Sequence, residues 1–599
     1  MCGIAGWVSV EPASTKALAK HKADIARVLE LQHHRGPDAR GLWESPCRRA
    51  VLGHNRLSIV ELSEAGAQPM ADADGDWVIT YNGELYNYKE LRALLTKQFG
   101  VHFRGNSDTE VFLYGVKHLG IDEFLRHAEG MFAAALFSSK TGTTYLVRDR
   151  AGEKPLYYKQ TLQGVHFASE LKPLVNGLQD KPPIDRDALY LYLVLRYVPA
   201  PLAMFEGYAK VKQGHYLVLE PGRPVREYAF FSWDAHASEV SPHPQNFSEV
   251  VRITEKLLVK SLEQRLMADV PLGFFLSGGV DSTLTAALVR KHFGRDISTY
   301  TIGFEGDPES EHEVSAQTAR TIGSRHTKRI LKVSELGNVS QRVIQAMDEP
   351  NGDRSCVPTF LLCEHARSEV TVALGGDGGD ELFGGYSRYP GLNKRIGEDL
   401  CPRAYDGLMV YFAESLPVFG PRSTKEIMGG TPPRAERYLQ SLAVPLYSPS
   451  RPEIDIRYVD FNSYLPGAVL SKVDRMSMQT SLEVRTPFFS KALLEIASRL
   501  PHEFLYQGKH MKPVLRQICR GLGLEHVAGL KKKGFGMPAQ FLYNGKAELS
   551  ERVSAALSQI ALAIDDEPLV QRMAQSAGGN MNSVWATIVL GEWLAGLRA

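Results

Sequence analysis

Pro271-Leu272-Gly273-Phe274-Phe275-Leu276-Ser277-Gly278-Gly279-Val280-Asp281-Ser282 reads as a short apolar strand, a glycine loop and the start of a helix that runs to about residue 293. The pattern repeats on both sides of this stretch. A helix over residues 247–268 leads into it, and a strand over 298–303, a helix over 311–322 closed by Gly323, and a strand over 370–374 come after it. The last strand meets a second glycine loop, Gly375-Gly376-Asp377-Gly378-Gly379-Asp380-Glu381-Leu382-Phe383-Gly384-Gly385-Tyr386. Strand, turn and helix in repeated order predict a doubly wound parallel sheet whose ligands bind at the carboxyl ends of the strands, where both loops lie. Beyond Tyr386 the sequence reads as mainly helical.

The chemistry of the first loop stems from its residue types. Backbone N–H groups and the hydroxyls of Ser277 and Ser282 can converge on phosphate at the start of a helix, and Gly278 and Gly279 let the backbone come close. The lysine and spacing of a Walker loop are missing, and Asp281 would repel phosphate unless a cation intervened, which makes it the first candidate magnesium ligand. A plain strand-to-helix turn capped by serine is the bland alternative. The second loop sets three acids among six glycines. Asp380 is the candidate to complete a magnesium site with Asp281, and Asp377 the candidate base that keeps ammonia unprotonated, against the alternative of a solvated acidic turn.

Upstream the pattern changes to short strands and turns. Residues 77–81 run into Asn82-Gly83, residues 132–137 are followed across Gly142 by 144–148, and one helix is expected over 16–32, ended by Gly36-Pro37, with Leu18, Ile25, Val28 and Leu29 on one face. A stretch rich in proline and polar residues, including 221–224 and 241–245, marks the change of domain, giving 2–210, a connecting segment 211–246, and 247–599.

Cys2 follows only Met1. Removal of that methionine would leave a thiol beside a free α-amine of reference pKa ~7.7 to 8.0, able to take the thiol proton near neutrality. Alone the position says little. Met1-Cys2-Gly3-Ile4-Ala5-Gly6, His34-Arg35-Gly36-Pro37-Asp38, Asn55-Arg56-Leu57-Ser58-Ile59, Tyr81-Asn82-Gly83-Glu84-Leu85-Tyr86-Asn87 and Ser107-Asp108-Thr109-Glu110 occur in that order, and together they resemble the class II, N-terminal-nucleophile glutamine amidotransferases. That resemblance implies an αββα sandwich, attack on the glutamine amide by Cys2, an oxyanion hole at Asn82 and Gly83, and a glutamine site built from Arg56, Ile59, Asn82, Gly83, Glu84 and Asp108. The charges suit a zwitterionic amino acid: Arg56 for its carboxylate, Glu84 and Asp108 for its amine.

Ser277-Gly278-Gly279-Val280-Asp281-Ser282 in turn resembles the loop of the ATP pyrophosphatases, which cleave ATP between the α and β phosphates. The two halves in one chain look like the glutamine-hydrolysing asparagine synthetase family, over nearly the whole sequence. Arg148-Asp149-Arg150, Lys154-Pro155-Leu156-Tyr157-Tyr158, Ser169-Glu170-Leu171-Lys172, Asp348-Glu349-Pro350, Lys472-Val473-Asp474-Arg475 and Glu483-Val484-Arg485-Thr486-Pro487 agree with it. The resemblance implies ATP and Mg2+, an ATP site at Leu276, Ser277, Gly278, Gly279, Asp281, Ser282, Ile302, Gly303, Gly375 and Gly376, metal ligands Asp281 and Asp380, and catalytic roles for Asp377 and for Lys512, which would neutralise the departing pyrophosphate. Lys531-Lys532-Lys533 would be a nearby basic element or a solvated face. Ammonia would pass from one site to the other inside the protein and attack an acyl-adenylate. The implied acceptor is aspartate; because the second loop begins Gly375-Gly376-Asp377 where the family has Ser-Gly-Glu, a sugar uronic acid or a biosynthetic intermediate stands as the alternative.

Composition sets the remaining expectations. Lysine plus arginine number 69 and aspartate plus glutamate 68, so no overall field attracts nucleic acid or an anionic membrane. No run of about 18 apolar residues is present, no targeting segment is recognisable at the N-terminus, and six scattered cysteines read as reduced thiols, all consistent with a cytoplasmic address. The expected partners are small molecules; a homodimer is compatible with the sequence and not required by it.

Overall fold

The computed structural model describes residues 2–233, 246–306, 311–332, 335, 339–390, 404–415, 418–443, 456–507, 510–531, 534–536, 545–577 and 580–597. Residues 241–245 of the expected connection, Lys532 and Lys533 lie outside them.

The first half is two six-stranded antiparallel sheets with helices outside. One sheet is built from β1 (Gly3–Val8), β2 (Ala39–Glu44), β3 (Ala50–Arg56), β8 (Tyr157–Thr161), β9 (Gly164–Ala168) and β10 (Tyr208–Lys210), in the order β10-β8-β9-β1-β3-β2. The other contains β4 (Met70–Ala71), β5 (Trp77–Leu85), β6 (Gly130–Ser138), β7 (Thr144–Arg148), β11 (His215–Leu219) and β12 (Arg226–Ala229), in the order β12-β11-β7-β6-β5-β4. Between the sheets pack Ile4, Val8, Leu52, Val78, Phe137 and Phe167. Outside the first sheet lies α1 (Thr15–Leu31), which buries Leu18, Ile25, Val28 and Leu29, the face expected from its periodicity. Outside the second lies α2 (Asp108–Leu119), packing Val111 and Phe112 on Ile79, Tyr81 and Phe132. This is the αββα arrangement.

Three local expectations differ. β5 does not turn at Asn82-Gly83 but continues to Leu85, because β6 pairs along its whole length, with Asn82 opposite Ala133 and Gly83 opposite Phe132. A Cβ on Gly83 would lie 2.2 Å from the Met131 carbonyl oxygen, so glycine here serves close strand approach and not a turn. Gly36-Pro37 does not end α1, which is capped at Gln32 and followed by a 3-10 turn over His33–Arg35. The stretch 211–246 is not only a connection: β11 and β12 complete the second sheet, Leu217 pairing with Leu146 and Glu227, and the prolines at 221 and 224 bracket the hairpin between them.

The second half is built on a five-stranded, wholly parallel sheet of β13 (Leu272–Phe275), β14 (Ser298–Phe304), β15 (Arg325–Leu331), β16 (Val372–Leu374) and β17 (Glu483–Arg485), in the order β15-β14-β13-β16-β17. After α3 (Phe247–Arg265), the chain winds outward from β13 through α4 (Val280–Phe293) and α5 (His312–Ile322) to β15. It then returns through α6 (Cys356–Arg367) to β16, on the other side of β13. The order therefore reverses between β13 and β16, where a doubly wound sheet opens a crevice. Both glycine loops leave the carboxyl ends of these two strands. The chain beyond β16 is mostly helical, and includes α7 (Leu470–Met478), which packs against the seam between the halves.

Candidate active site

Side chains alternate across a strand, so parity predicts what faces the gap between the sheets. Ile4 and Val8 of β1 do, and Cys2 shares their parity; Leu52 does, and so His54 and Arg56 share its side; Val78 does, and so Asn82 and Glu84 share its side. One end of the sandwich thus gathers Cys2, His54, Arg56, Asn82 and Glu84. Asp108 joins them from the first turn of α2.

Cys2 is buried, and burial pushes its thiol up from the ordinary range. Its main-chain nitrogen donates to Asn82 Oδ1 at 2.9 Å. Asn82 Nδ2 is a buried donor with no hydrogen-bond partner in the protein. Phe132, opposite Gly83, directs both of its main-chain groups to Asp149, so Gly83 is left to turn its N–H away from β6. Arg56 donates to the carbonyl oxygens of Ser63, at 3.0 Å, and Glu61, which fixes its guanidinium at the rim. Ile59 is buried in an apolar seam with Leu57, Tyr86, Met131, Val372 and Met478, the last two from the second half. Asp108 accepts hydrogen bonds from Leu85 N at 2.8 Å and Tyr81 Oη at 3.2 Å, and burial still pushes its carboxyl up to about 6. Burial, with the Glu483 charge, raises Glu84 well above the carboxylate range, against the pull of Arg485 at 3.4 Å.

Two residues beside Cys2 had no assigned role. His54 lies against the Tyr81 carbonyl at 3.1 Å and burial lowers it to about 3, leaving it neutral. Arg35, fully buried, donates from Nε to the Cys2 carbonyl oxygen at 3.1 Å and from Nη1 to Glu170 at 2.8 Å. Strand parity could have found His54. Arg35 carries no such signal, since its partners are 135 and 439 residues away in sequence.

At the crevice of the parallel sheet the two glycine loops interlock. A Cβ on Gly376 would lie 2.6 Å from Ser282 N, and one on Gly379 would lie 2.5 Å from Asp281 Oδ1. Gly278 has φ +80°, a conformation that favours glycine. Ser277 and Ser282 hydroxyls are 2.9 Å apart over the start of α4, and the Leu276 N–H is bound to Tyr300 O at 3.0 Å. Gly375 N donates to Arg485 O at 2.8 Å. Ile302 and Gly303 lie on β14 beside the loop, with the ring of His312 where a Cβ on Gly303 would be. Leu276, Ser277, Gly278, Gly279, Asp281, Ser282, Ile302, Gly303, Gly375 and Gly376 therefore lie together around the carboxyl ends of β13, β14 and β16.

Asp281 and Asp380 come together on Lys512, whose Nζ contacts Asp281 Oδ2 and lies 2.6 Å from Asp380 Oδ1. Two carboxylates that share one ammonium at contact distance form an oxygen-donor pair of the kind that holds a hard divalent cation. Lys512 is itself held in the left-handed conformation, φ +57°, at the start of the helix Pro513–Gly521. Asp377 is half-buried nearby; burial raises its carboxyl, and the Lys472 charge on α7 is the chief influence opposing this. Lys472 donates to Ser355 Oγ at 3.0 Å, and Asp353 and Asp377 hold it above its ordinary range although burial alone would lower it.

Elsewhere, a groove of about 720 Å³ runs along the seam beside Glu61, Ser63, Lys89, Asp269 and Arg295, and holds none of these groups. His21, Asp24 and His166 meet between α1 and β9, where Lys20 and Arg27 already neutralise the Asp24 carboxylate.

Two family models match the chain: one described as glutamine amidotransferase domain over residues 1–229, and one described as asparagine synthase over residues 254–595. A Bacillus subtilis (strain 168) protein named asparagine synthetase (glutamine-hydrolyzing) 1 is 29% identical over 625 residues, covering 99% of this chain and 96% of its own. A second from the same strain, asparagine synthetase (glutamine-hydrolyzing) 3, is 26% identical, covering 98% of this chain and 95% of its own. A Gibberella zeae protein named amidase chry2 is 27% identical, covering 93% of this chain and 92% of its own.

Proposed function

The chain belongs to the asparagine synthase family, as a glutamine-hydrolysing ligase, and from that premise we propose that it transfers the amide nitrogen of glutamine to the carboxylate of aspartate, with ATP cleaved to AMP and pyrophosphate. Once Met1 is removed, the Cys2 nitrogen held by Asn82 becomes the α-amine that takes the thiol proton. Sγ attacks the glutamine amide carbon, and the oxyanion forms against Asn82 Nδ2 and Gly83 N–H. Ammonia leaves, and water releases glutamate from the thioester. Arg56 binds the glutamine carboxylate, while its amine is met by the ionised carboxylate of Asp108 and by a carboxyl oxygen of Glu84, which accepts a hydrogen bond even when the group keeps its proton.

We place the route of ammonia between the halves along the apolar seam of Leu57, Ile59, Met131, Val372 and Met478, whose side chains offer nothing to protonate it. At the crevice the acceptor carboxylate attacks the α-phosphorus of ATP and pyrophosphate leaves, its charge met by Lys512. Asp281 and Asp380 would hold Mg2+, which supplies charge neutralisation on the phosphates. Ammonia then attacks the acyl carbon, a proton passes to Asp377, and AMP departs.

The observation that carries this reading is Asn82, which holds the Cys2 nitrogen with one amide atom and presents the other as an unpartnered buried donor. Cys2→Ala tests it. The variant should lose glutamine-dependent amide synthesis and keep synthesis from added ammonium; loss of both contradicts a two-site enzyme.

A second acceptor reading is favoured by the loop Gly375-Gly376-Asp377, shorter by a hydroxyl and a methylene than Ser-Gly-Glu, and by a relative that bears the name amidase. A uronic acid or another biosynthetic carboxylate would then replace aspartate. Pyrophosphate release with each acid in turn separates the two.

A further inference from the structure

Arg196 ends the helix Arg186–Leu195 in the left-handed conformation, φ +74° and ψ 3°, where glycine is the residue usually found. Strain of this kind in another residue gathers where a side chain has to be held in place. The Arg196 carbonyl oxygen accepts from Gly352 N at 2.8 Å, and a Cβ on Gly352 would lie 3.1 Å from Arg196 Cβ, so the side chain leaves its backbone against the stretch that carries Asp353 and Ser355. Among the described residues the guanidinium has no hydrogen bond and no ion pair.

Asp353 Oδ1 accepts from Ser355 N and Oγ at 2.9 and 2.8 Å, and Ser355 Oγ in turn receives Lys472 Nζ at 3.0 Å. The other oxygen of Asp353 has no hydrogen-bond partner among the described residues. Burial raises the Asp353 carboxyl, but Lys472 and then Arg196 hold it below the ordinary range, so both cations lie within electrostatic reach of it. Tyr464 feels the same three charges; its ring packs on Tyr197 and Tyr386, and its hydroxyl makes no hydrogen bond to a described residue. Lys472 is held by Ser355 and by the fields of Asp353 and Asp377, which leaves Arg196 as the surplus cation. An acceptor that completes this set carries one carboxylate and one ammonium group besides the carboxylate that is activated. A uronic acid has neither, and would leave the charges of Arg196 and Asp353 unmet.

We propose that Arg196 and Asp353 are acceptor-binding residues that select a dicarboxylic α-amino acid, Arg196 holding the carboxylate that does not react and Asp353 the ammonium group, with the Tyr464 hydroxyl beside them. The inference deepens the amidation proposed for the chain and rests on it.

The test follows pyrophosphate release with Mg-ATP, aspartate and ammonium as the nitrogen source, so that Cys2 takes no part. Arg196→Gly should raise the KM for aspartate by about 10- to 100-fold, as the loss of a hydrogen bond between charged groups does, with kcat within about threefold and the KM for ATP within about twofold of wild type. Glycine accepts the left-handed backbone, so the thermal unfolding midpoint of this variant should not fall. Arg196→Lys, which keeps the charge, should lie between the two. Asp353→Asn keeps an oxygen for Ser355 but no charge for an ammonium group, and should raise the KM for aspartate over the same range of about 10- to 100-fold. An aspartate KM within about twofold of wild type in Arg196→Gly or Asp353→Asn overturns the assignment. So does a matching rise in the KM for ATP, or a lowered unfolding midpoint or insoluble protein for Arg196→Gly, since each makes the residue part of the general packing. A wild-type protein that releases pyrophosphate with a uronate and not with aspartate sinks the aspartate reading itself, and the inference with it.

Discussion

Asp108 keeps its proton to a higher pH than an exposed aspartate does, because burial outweighs the two hydrogen bonds it accepts from Leu85 N and Tyr81 Oη. A carboxyl that must be ionised to bind an ammonium group is lost to that task as pH falls through about 6. Below the fall set by the α-amine base, kcat/KM for glutamine hydrolysis should therefore take on a second proton dependence with its midpoint near 6, so that the acid limb steepens towards lower pH; a limb that does not steepen down to about pH 5 would contradict the assignment of Asp108 to the glutamine amine. Asn82→Ala removes one of the two proposed oxyanion donors and should lower kcat for glutamate release by about 10²- to 10³-fold, measured against unchanged thermal unfolding. Cys2, Asn82, Glu84 and Asp108 are legible in sequence because each sits in a short ordered string. Arg35 and Lys472 occur in such strings too, but their partners Glu170 and Asp474, and Ser355, lie 135, 439 and 117 residues away in sequence, and no local pattern encodes that.

Among the elements, β13, β14 and β16 are legible because each is an apolar run leading to a turn or glycine loop. β15, Arg-His-Thr-Lys-Arg-Ile-Leu, is not: as the edge strand of the sheet it carries charges that hide its periodicity. β17 is hidden for the opposite reason, since Glu483 and Arg485 are buried but pair with each other at 2.6 Å, so a core strand reads as polar. The glycine loops are legible as ligand loops, while their interlock is not. It has a direct consequence at Gly385, where a Cβ would lie 1.9 Å from Asp380 Oδ1 and 2.1 Å from Lys512 Cε. Gly385→Ala must displace one or both, and a shift of about 1 Å in such a group typically costs 10²-fold in rate. Acid-dependent pyrophosphate release should fall by at least that factor of about 10² while glutamate release without ATP stays within about twofold of wild type. Equal loss of both activities would place Gly385 in the general packing of the chain and not in the ATP site.

The two halves meet through buried charge as well as through apolar contact. Arg485 of β17 lies 3.4 Å from Glu84 of the proposed glutamine site, pairs with Glu483, and donates to the carbonyl oxygens of Arg265 and Met267 at 2.8 and 2.6 Å. Arg485→Met would remove the guanidinium that lies against two buried acids, Glu84 and Glu483, at a cost of about 3–5 kcal/mol. Thermal unfolding should show a lower midpoint, with Arg485→Lys falling between the variant and wild type; an unchanged midpoint would mean that the contact adds nothing to the joining of the halves. No helix among the described residues is long and apolar enough to cross a membrane. The order of the halves and the chemistry of each can be read from motifs, whereas the seam between them cannot, because its contacts join residues hundreds of positions apart. Passage of nitrogen across that seam is the central step of the proposed reaction. Glutamine labelled with 15N in its amide, supplied with Mg-ATP, aspartate and a pool of unlabelled ammonium, should give asparagine labelled in its side-chain amide, with one AMP and one pyrophosphate formed for each. Cleavage of ATP to ADP and phosphate, or recovery of the label only as free ammonium with every carboxylate offered, would contradict it.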